Sequence, residues 1–206
     1  MPLQNRVNPF GELFEDSSRG LFMGNRGGRF HRGDQTLGAK RFASKQWICC
    51  QLQFKNRQRK VWSTGYTELF FLDEVTALAA GHRPCFECRR EDATLFAACW
   101  MQAFKLPAPP RVADMDVVLH AERLDNDTKR RHRRALETLP DGALIALDDD
   151  AFAVRGDTLL RWQPSGYGEP RPRGTGMVEV LTPPATLAVL AAGYRPKWHC
   201  DAEPRP

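Results

Sequence analysis

The chain carries the phrase Ala79-Ala80-Gly81-His82-Arg83-Pro84-Cys85-Phe86-Glu87-Cys88 and a degenerate copy of it, Ala191-Ala192-Gly193-Tyr194-Arg195-Pro196-Lys197-Trp198-His199-Cys200. Upstream of the first copy, Asp73 is a good N-cap for a short helix over Glu74 to Ala80. Gly81 then stands where a helix wants a left-handed residue, and Pro84 prevents the helix from resuming. The second copy has the same punctuation. Thr182 is the expected cap, Pro183 the first helical residue and Gly193 the closing glycine. The two phrases align without a gap at an offset of 112 residues, so that Gly81, Arg83, Pro84 and Cys88 match Gly193, Arg195, Pro196 and Cys200.

Working outward, residues 1–23 read as an irregular arm with a short helix around Leu13, followed by a glycine- and arginine-rich loop from Gly24 to Asp34. Trp47 to Phe54 and Lys60 to Trp62 read as strands joined by the basic connection Lys55 to Arg59, and Tyr66 to Phe71 as a further strand. Arg89 to Phe104 places Leu95, Phe96, Cys99, Trp100, Ala103 and Phe104 on one helical face. The proline-rich stretch from Leu106 to Pro110 ends that helix. Asp114 to Leu124 reads as a third helix. Ala143 to Leu147, Phe152 to Val154 and Leu159 to Trp162 form a meander. Gln163 to Gly176 reads as an irregular loop and Met177 to Leu181 as a strand. The expected fold is α+β: two degenerate repeats of β-meander, strand, helix and Gly-x-Arg-Pro turn, packed as one domain. The expected divisions are an arm over 1–44, a first repeat over 45–106 and a second over 107–206.

With 206 residues, 42% hydrophobic and 27% charged, the chain can bury a substantial core and is not of disordered composition. It has no apolar run long enough to cross a membrane and no basic-then-apolar leader at its start, which predicts a cytoplasmic protein. In that compartment the 6 cysteines are expected to be reduced, favouring metal binding or burial over disulfides. The net charge of +5 is uneven, at +8 over residues 1–65, −5 over 66–128 and +2 over 129–206. A basic burst, Lys129-Arg130-Arg131-His132-Arg133-Arg134, follows the acidic segment. This asymmetry points to a polyanionic partner, most simply nucleic acid.

Cys85-x-x-Cys88 on a proline-stiffened turn is a zinc-ligand spacing, because both thiolates can reach one tetrahedral ion. Cys88 also precedes a helix whose N-terminal amides favour a thiolate. A third ligand must come from elsewhere. Cys49 and Cys50 point to opposite faces of one strand, so only one can join. Cys50 is favoured, with His82, His199 and Cys200 competing for the last place. Cys99 sits on an apolar helix face and reads as a packed hydrophobe.

The run from Tyr66 to Arg90, an aromatic strand, an Ala-rich helix and A-A-G-H-R-P-C-F-E-C-R, resembles the zinc-binding DNA-repair domain of the Ada family over roughly residues 45–92. That resemblance implies a zinc-stabilised, DNA-associated fold. In it Cys85 and Cys88 would be the second ligand pair, and an upstream strand would supply the first. The family has three residues between its first two cysteines, whereas Cys49 and Cys50 are adjacent. The methyl-accepting nucleophile is therefore not carried over.

Two further groups bear chemistry. His120 and Glu122 could serve as base and metal ligand in phosphodiester hydrolysis, although a helix there would separate their faces. The loop Gly24 to Asp34 could bring Arg26, Arg29, His31 and Arg32 to phosphate oxygens. Trp47, Trp62, Trp100 and Trp162 read as core, with Trp198 the exception in the second turn. The expected function is zinc-supported DNA binding in repair or nucleic-acid processing, with Arg26, Arg29, Arg57, Arg83, Arg89 and Arg90 at the phosphates. The alternatives are a metal-dependent nuclease or phosphodiesterase using His120 and Glu122, and a non-catalytic protein stapled by zinc.

Overall fold

The computed structural model describes residues 2–58 and 60–202. Arg59, part of the expected basic connection, lies outside the described residues. The fold is α+β. Its first sheet is built from β1 (Arg6–Val7), β2 (Leu13–Phe14), β3 (Phe22–Arg26), β4 (Trp47–Gln51), β5 (Leu69–Phe71) and, beyond helix α1 (Glu74–Ala79), β6 (Arg83–Pro84). The order across it is β2-β1-β5-β3-β4-β6, with β1/β5 and β4/β6 parallel and the other pairs antiparallel. Helices α2 (Arg90–Ala103) and α3 (Val112–Arg123) come next, then the small ribbon β7 (Leu124–Asp125) and β8 (Thr128–Lys129). The second sheet comprises β9 (His132–Ala135), β10 (Leu144–Leu147), β11 (Asp150–Arg155), β12 (Thr158–Gln163), β13 (Gly166–Pro172) and β14 (Met177–Val180), ahead of helix α4 (Pro184–Ala191). Its order is β13-β12-β11-β10-β14-β9, antiparallel throughout.

The expected arm is part of the first sheet, since β1, β2 and β3 all pair within it. The segment from Lys60 to Trp62 is not a strand. Trp62 adopts φ 53° and is pinned by Glu68, whose Oε2 accepts its backbone N–H at 2.9 Å and whose carbonyl accepts its indole N–H at 2.9 Å. Gly166–Pro172, expected to be irregular, is the edge strand β13, a position that tolerates Pro170 and Pro172. On α2, Leu95 and Phe104 face solvent, while Ala93 and Ala97 are buried beside Phe96, Cys99 and Trp100. The N-cap of α4 is Pro183 rather than Thr182. The Thr182 hydroxyl instead accepts the Leu144 N–H at 2.9 Å, tying the start of β10 to the strand-to-helix connection.

Helix α1 occupies the centre. Asp73 caps it, its Oδ1 accepting the Thr76 N–H at 2.9 Å. All six residues from Glu74 to Ala79 are buried. Leu72, Val75 and Ala79 pack with Leu144, Ala153 and Leu160 of the second sheet. Ala77 and Ala80 pack with Cys49, Leu69 and Phe71 of the first. Leu78 packs with Phe96, Trp100, Leu119 and Leu190 of the other helices. Six residues are too few to hold a helix on propensity, so this one depends on burial from every side.

The ends of α1 and α4 have the same geometry. The Gly81 and His82 N–H groups donate to Leu78 and Ala77 carbonyls at 2.9 Å each, and the Gly193 and Tyr194 N–H groups donate to Leu190 and Val189 at 3.0 and 3.2 Å. Both glycines have positive φ, 87° and 110°. Each is a Schellman turn, in the same register at the offset of 112. The agreement stops at the turn. Arg83–Pro84 runs on as β6, whereas Arg195 and Pro196 belong to no strand, and the order of strands differs between the two sheets.

Candidate metal centre

Strand β4 presents Cys49 and Cys50 to opposite faces. Cys49 enters the apolar core of the first sheet, fully buried. Burial pushes its thiol well above the ordinary range, although the guanidinium of Arg89 donates to its sulfur at 3.3 Å. Cys50 turns the other way, to Cys85 and Cys88. Parallel pairing of β4 with β6 sets Cys49 opposite Pro84, and the Cys85 N–H donates to the Cys49 carbonyl at 3.0 Å. This fixes Cys85 beside Cys50. The turn then closes through the Arg89 N–H donating to the Cys85 carbonyl at 3.0 Å, which brings Cys88 back over the same spot.

The sulfurs of Cys50, Cys85 and Cys88 lie within 4.8 Å of one another and could hold a metal ion. Hydrogen bonds from the Cys50 and Cys88 thiols, followed by the backbone N–H groups of Cys88 and Glu87, pull the Cys85 thiol far below the usual range. The Glu87 N–H lies 3.4 Å from the Cys85 sulfur. Cys50 is pushed up by its hydrogen bonds to Cys85 and Cys88 and by burial. A thiolate flanked by further thiols and a backbone N–H is the donor set of a soft or borderline metal. Asn25, Phe54, Tyr66 and Glu87 line the hollow around the sulfurs. Among the described residues no histidine or carboxylate joins the three sulfurs within that distance. Glu87 is ion-paired to Arg57.

The competing ligands lie elsewhere. His82 is buried between Trp47 and Phe71, with ring centroids at 5.0 and 4.7 Å. Burial and the charges of Arg26 and Arg123 hold it well below its ordinary pKa. His199, Cys200 and Asp201 have ligand atoms within 4.8 Å of one another, but they are three successive residues at a more exposed place. Cys99 is buried in the helical core.

Several other sequence-predicted residues are occupied by the fold. Arg83 is buried and bidentate on Asp116, at 2.9 and 2.8 Å. Arg89 is buried and meets Glu74 and Asp92, each at 2.8 Å. Arg26 is buried against Trp47. Arg83 and Arg89 cannot reach a phosphate on the surface without giving up these buried carboxylates, and Arg26 lines an internal cleft rather than an outer face. Arg29, Arg57 and Arg90 are exposed. His31 is stacked on Trp62, and its ring nitrogens meet Thr67 Oγ1 at 2.8 Å and the Ser63 carbonyl at 2.9 Å, so it is a structural histidine. Trp198 packs on Tyr167 and under Arg155.

His120 and Glu122 do not converge. The His120 Nδ1 is 2.9 Å from the Arg123 guanidinium and its ring meets the Phe42 edge. Glu122 is turned to α4, where its Oε2 accepts the Ala185 N–H at 2.7 Å and so caps that helix from outside. The carboxylates sequence reasoning missed are Asp73 and Glu74. Both are buried at the start of α1 and receive the C-terminal segment. Asp73 Oδ2 accepts from the Tyr167 hydroxyl at 2.9 Å and from the His199 N–H at 3.1 Å. Glu74 accepts from the Tyr194 hydroxyl at 2.6 Å and from the Lys197 N–H at 2.9 Å. Nothing in the local sequence signals this, since an acidic pair at a helix start is ordinary. No family model, curated protein or solved structure matches the chain.

Proposed function

We propose that the chain is a zinc-supported nucleic-acid-binding protein, acting on DNA in repair or processing. The observation that carries this reading is the convergence of Cys50 with Cys85 and Cys88, two segments distant in sequence, into one cluster of three sulfurs. Zinc suits such a donor set and would staple β4 to the turn after β6. Arg57 on the rim of the same hollow, with Arg29 and Arg90, are the expected phosphate contacts that stay exposed. The likeness to the Ada zinc module agrees with a DNA-associated role, and the matching helix ends of α1 and α4 agree with a duplicated scaffold. The test is twofold. Protein purified without chelators should carry about one zinc per chain, bound through three thiolates. Its affinity for duplex DNA should fall steeply with salt, and Arg57→Ala or Arg90→Ala should each lower the slope of log K against log salt by about one. A flat salt dependence removes DNA from the reading, and metal content far below one removes zinc.

One observation favours a second reading. Three protein ligands leave a tetrahedral ion one position for water or substrate, the pattern of catalytic rather than structural zinc. An enzyme would then be centred on the cysteine cluster and not on His120 and Glu122. Hydrolysis of a model phosphodiester that vanishes in Cys85→Ser while His120→Ala retains it would establish this reading.

A further inference from the structure

The buried arginines of this protein fall into two kinds. Arg83 and Arg89 meet carboxylates. Arg26 and Arg123 meet none among the described residues, though each is at most 2% exposed. Their partners are carbonyls and rings. Arg26 donates to the Gly11 carbonyl at 2.8 Å, and its contacts with Arg41 O and His82 Nε2 are both long, at 3.4 Å. Arg123 donates to the Gly81 carbonyl at 2.9 Å and the Lys45 carbonyl at 2.7 Å and lies 2.9 Å from His120 Nδ1, and its buried Nε has no partner among the described residues. Asp116 acts on Arg123 at longer range but is held bidentate by Arg83. The two guanidinium carbons sit 4.0 and 3.9 Å from the centroid of the same ring, Trp47. Lys129 comes from β8 to donate to the Ala79 carbonyl, again without a carboxylate partner among the described residues.

These cations line one cleft of about 450 Å³, within the range of small-molecule sites. Phe10, Phe14 and Phe42, each half-buried, form its apolar walls, and exposed Arg41 stands at its mouth. Two acids line it, Glu12 and Asp127. Both are exposed, and Glu12 is engaged by Asn8 at 2.8 Å. Unpaired buried charge is costly and persists in folded proteins when something compensates it. Burial and neighbouring cations hold Arg26 down to about 9 and Lys129 down to about 7; burial does the same to Arg123, to about 9, against the pull of Asp116. An anion in the cleft would relieve all three. The cleft shares no lining residue with the hollow around the cysteines.

We propose that this cleft binds a small organic anion, a phosphate or carboxylate head held by Arg26, Arg123 and Lys129 with an aromatic or apolar body against Phe10 and Phe42. Arg41, whose guanidinium donates to the Gly38, Ala39 and Lys40 carbonyls, adds a further positive charge at the rim. The site shares no lining residue with the metal centre.

Calorimetric titration of the full chain with phenyl phosphate, benzoate and the neutral benzyl alcohol tests it. The expected result is a Kd of about 1 mM for at least one anion and no detectable binding of the alcohol. The tighter of the two anions identifies the head. Lys129→Gln should weaken the anion at least about tenfold, the loss of one charge-assisted contact. Arg41→Gln alters an exposed side chain, should fold normally, and should weaken binding about threefold, in keeping with a rim charge. Binding of neither anion, equal binding of the alcohol, or an unchanged Kd in Arg41→Gln together with any folded Lys129 variant would overturn the proposal.

Discussion

The turns after α1 and after α4 begin alike and end differently. Each closes its helix with a glycine at positive φ and the same pair of backbone hydrogen bonds. After Gly81 the chain becomes a strand, its arginine is buried on Asp116, and its cysteines meet Cys50. After Gly193 the chain takes no strand, Arg195 faces solvent, and the segment lies across the start of α1, held by Asp73 and Glu74. A helix stop is thus a local device, fully specified by a few residues. The course of the chain beyond the stop is decided by the surface against which it emerges.

The contrast can be broken most severely at the cysteines. Cys85→Ser should reduce bound metal from about one equivalent to less than about a fifth and lower the melting temperature, whereas Cys200→Ser at the matching turn should leave both unchanged. Metal analysis with thermal melts decides it; equal loss in the two variants would mean that the turns are not chemically distinct.

The arginines come next. Arg83→Met leaves Asp116 buried and unpaired and should cost about 3–5 kcal/mol, against less than about 0.5 kcal/mol for Arg195→Met, measured by urea unfolding. The glycines themselves sharpen the point. A Cβ on Gly81 would lie 2.6 Å from Arg123 Cδ and 2.7 Å from its Cβ, while one on Gly193 would meet nothing within 4 Å. Gly193→Ala should therefore cost only the left-handed penalty of about 1–2 kcal/mol, and Gly81→Ala about 1–3 kcal/mol beyond that. Tyr194→Phe, which removes the hydroxyl from which Glu74 accepts, should cost about 1–2 kcal/mol in the same measurement, on a par with Gly193→Ala.

The residues that could be read from the sequence are those whose partners are near. Asp73, Gly81 and Pro84 act within one turn of α1, and the spacing of Cys85 and Cys88 is a property of a single loop. Cys50 could be favoured over Cys49 only weakly, because alternation says that they diverge but not which way the sheet faces. The two-residue strands β1 and β2 carry no period, and β1 finds its place by pairing with β5, far along the chain. Arginine is a surface residue by default, so Arg83 and Arg89 read as phosphate contacts until Asp116 and Glu74 are seen beside them. His120 and Glu122 offer catalytic side-chain types in the sequence, but their actual partners, Arg123 and the N-terminus of α4, become visible only when the helices pack. The cationic cleft was invisible for the same reason, since Arg26, Arg123 and Lys129 come from three separate strands and helices.

Because α1 is roofed on all sides, the protein has no natural place to be divided. At about 1.5 Å per residue the helix is a peg some 9 Å long, inserted into both sheets at once. A fragment ending at the proline-rich stretch after α2 would keep the whole first sheet yet leave Val75 and Ala79 facing water where Leu144 and Leu160 had been. It would also lose the tyrosines that meet Asp73 and Glu74, stranding a pair of carboxylates in an apolar socket. The halves should therefore melt in one transition, and two separate transitions in a thermal scan would refute this.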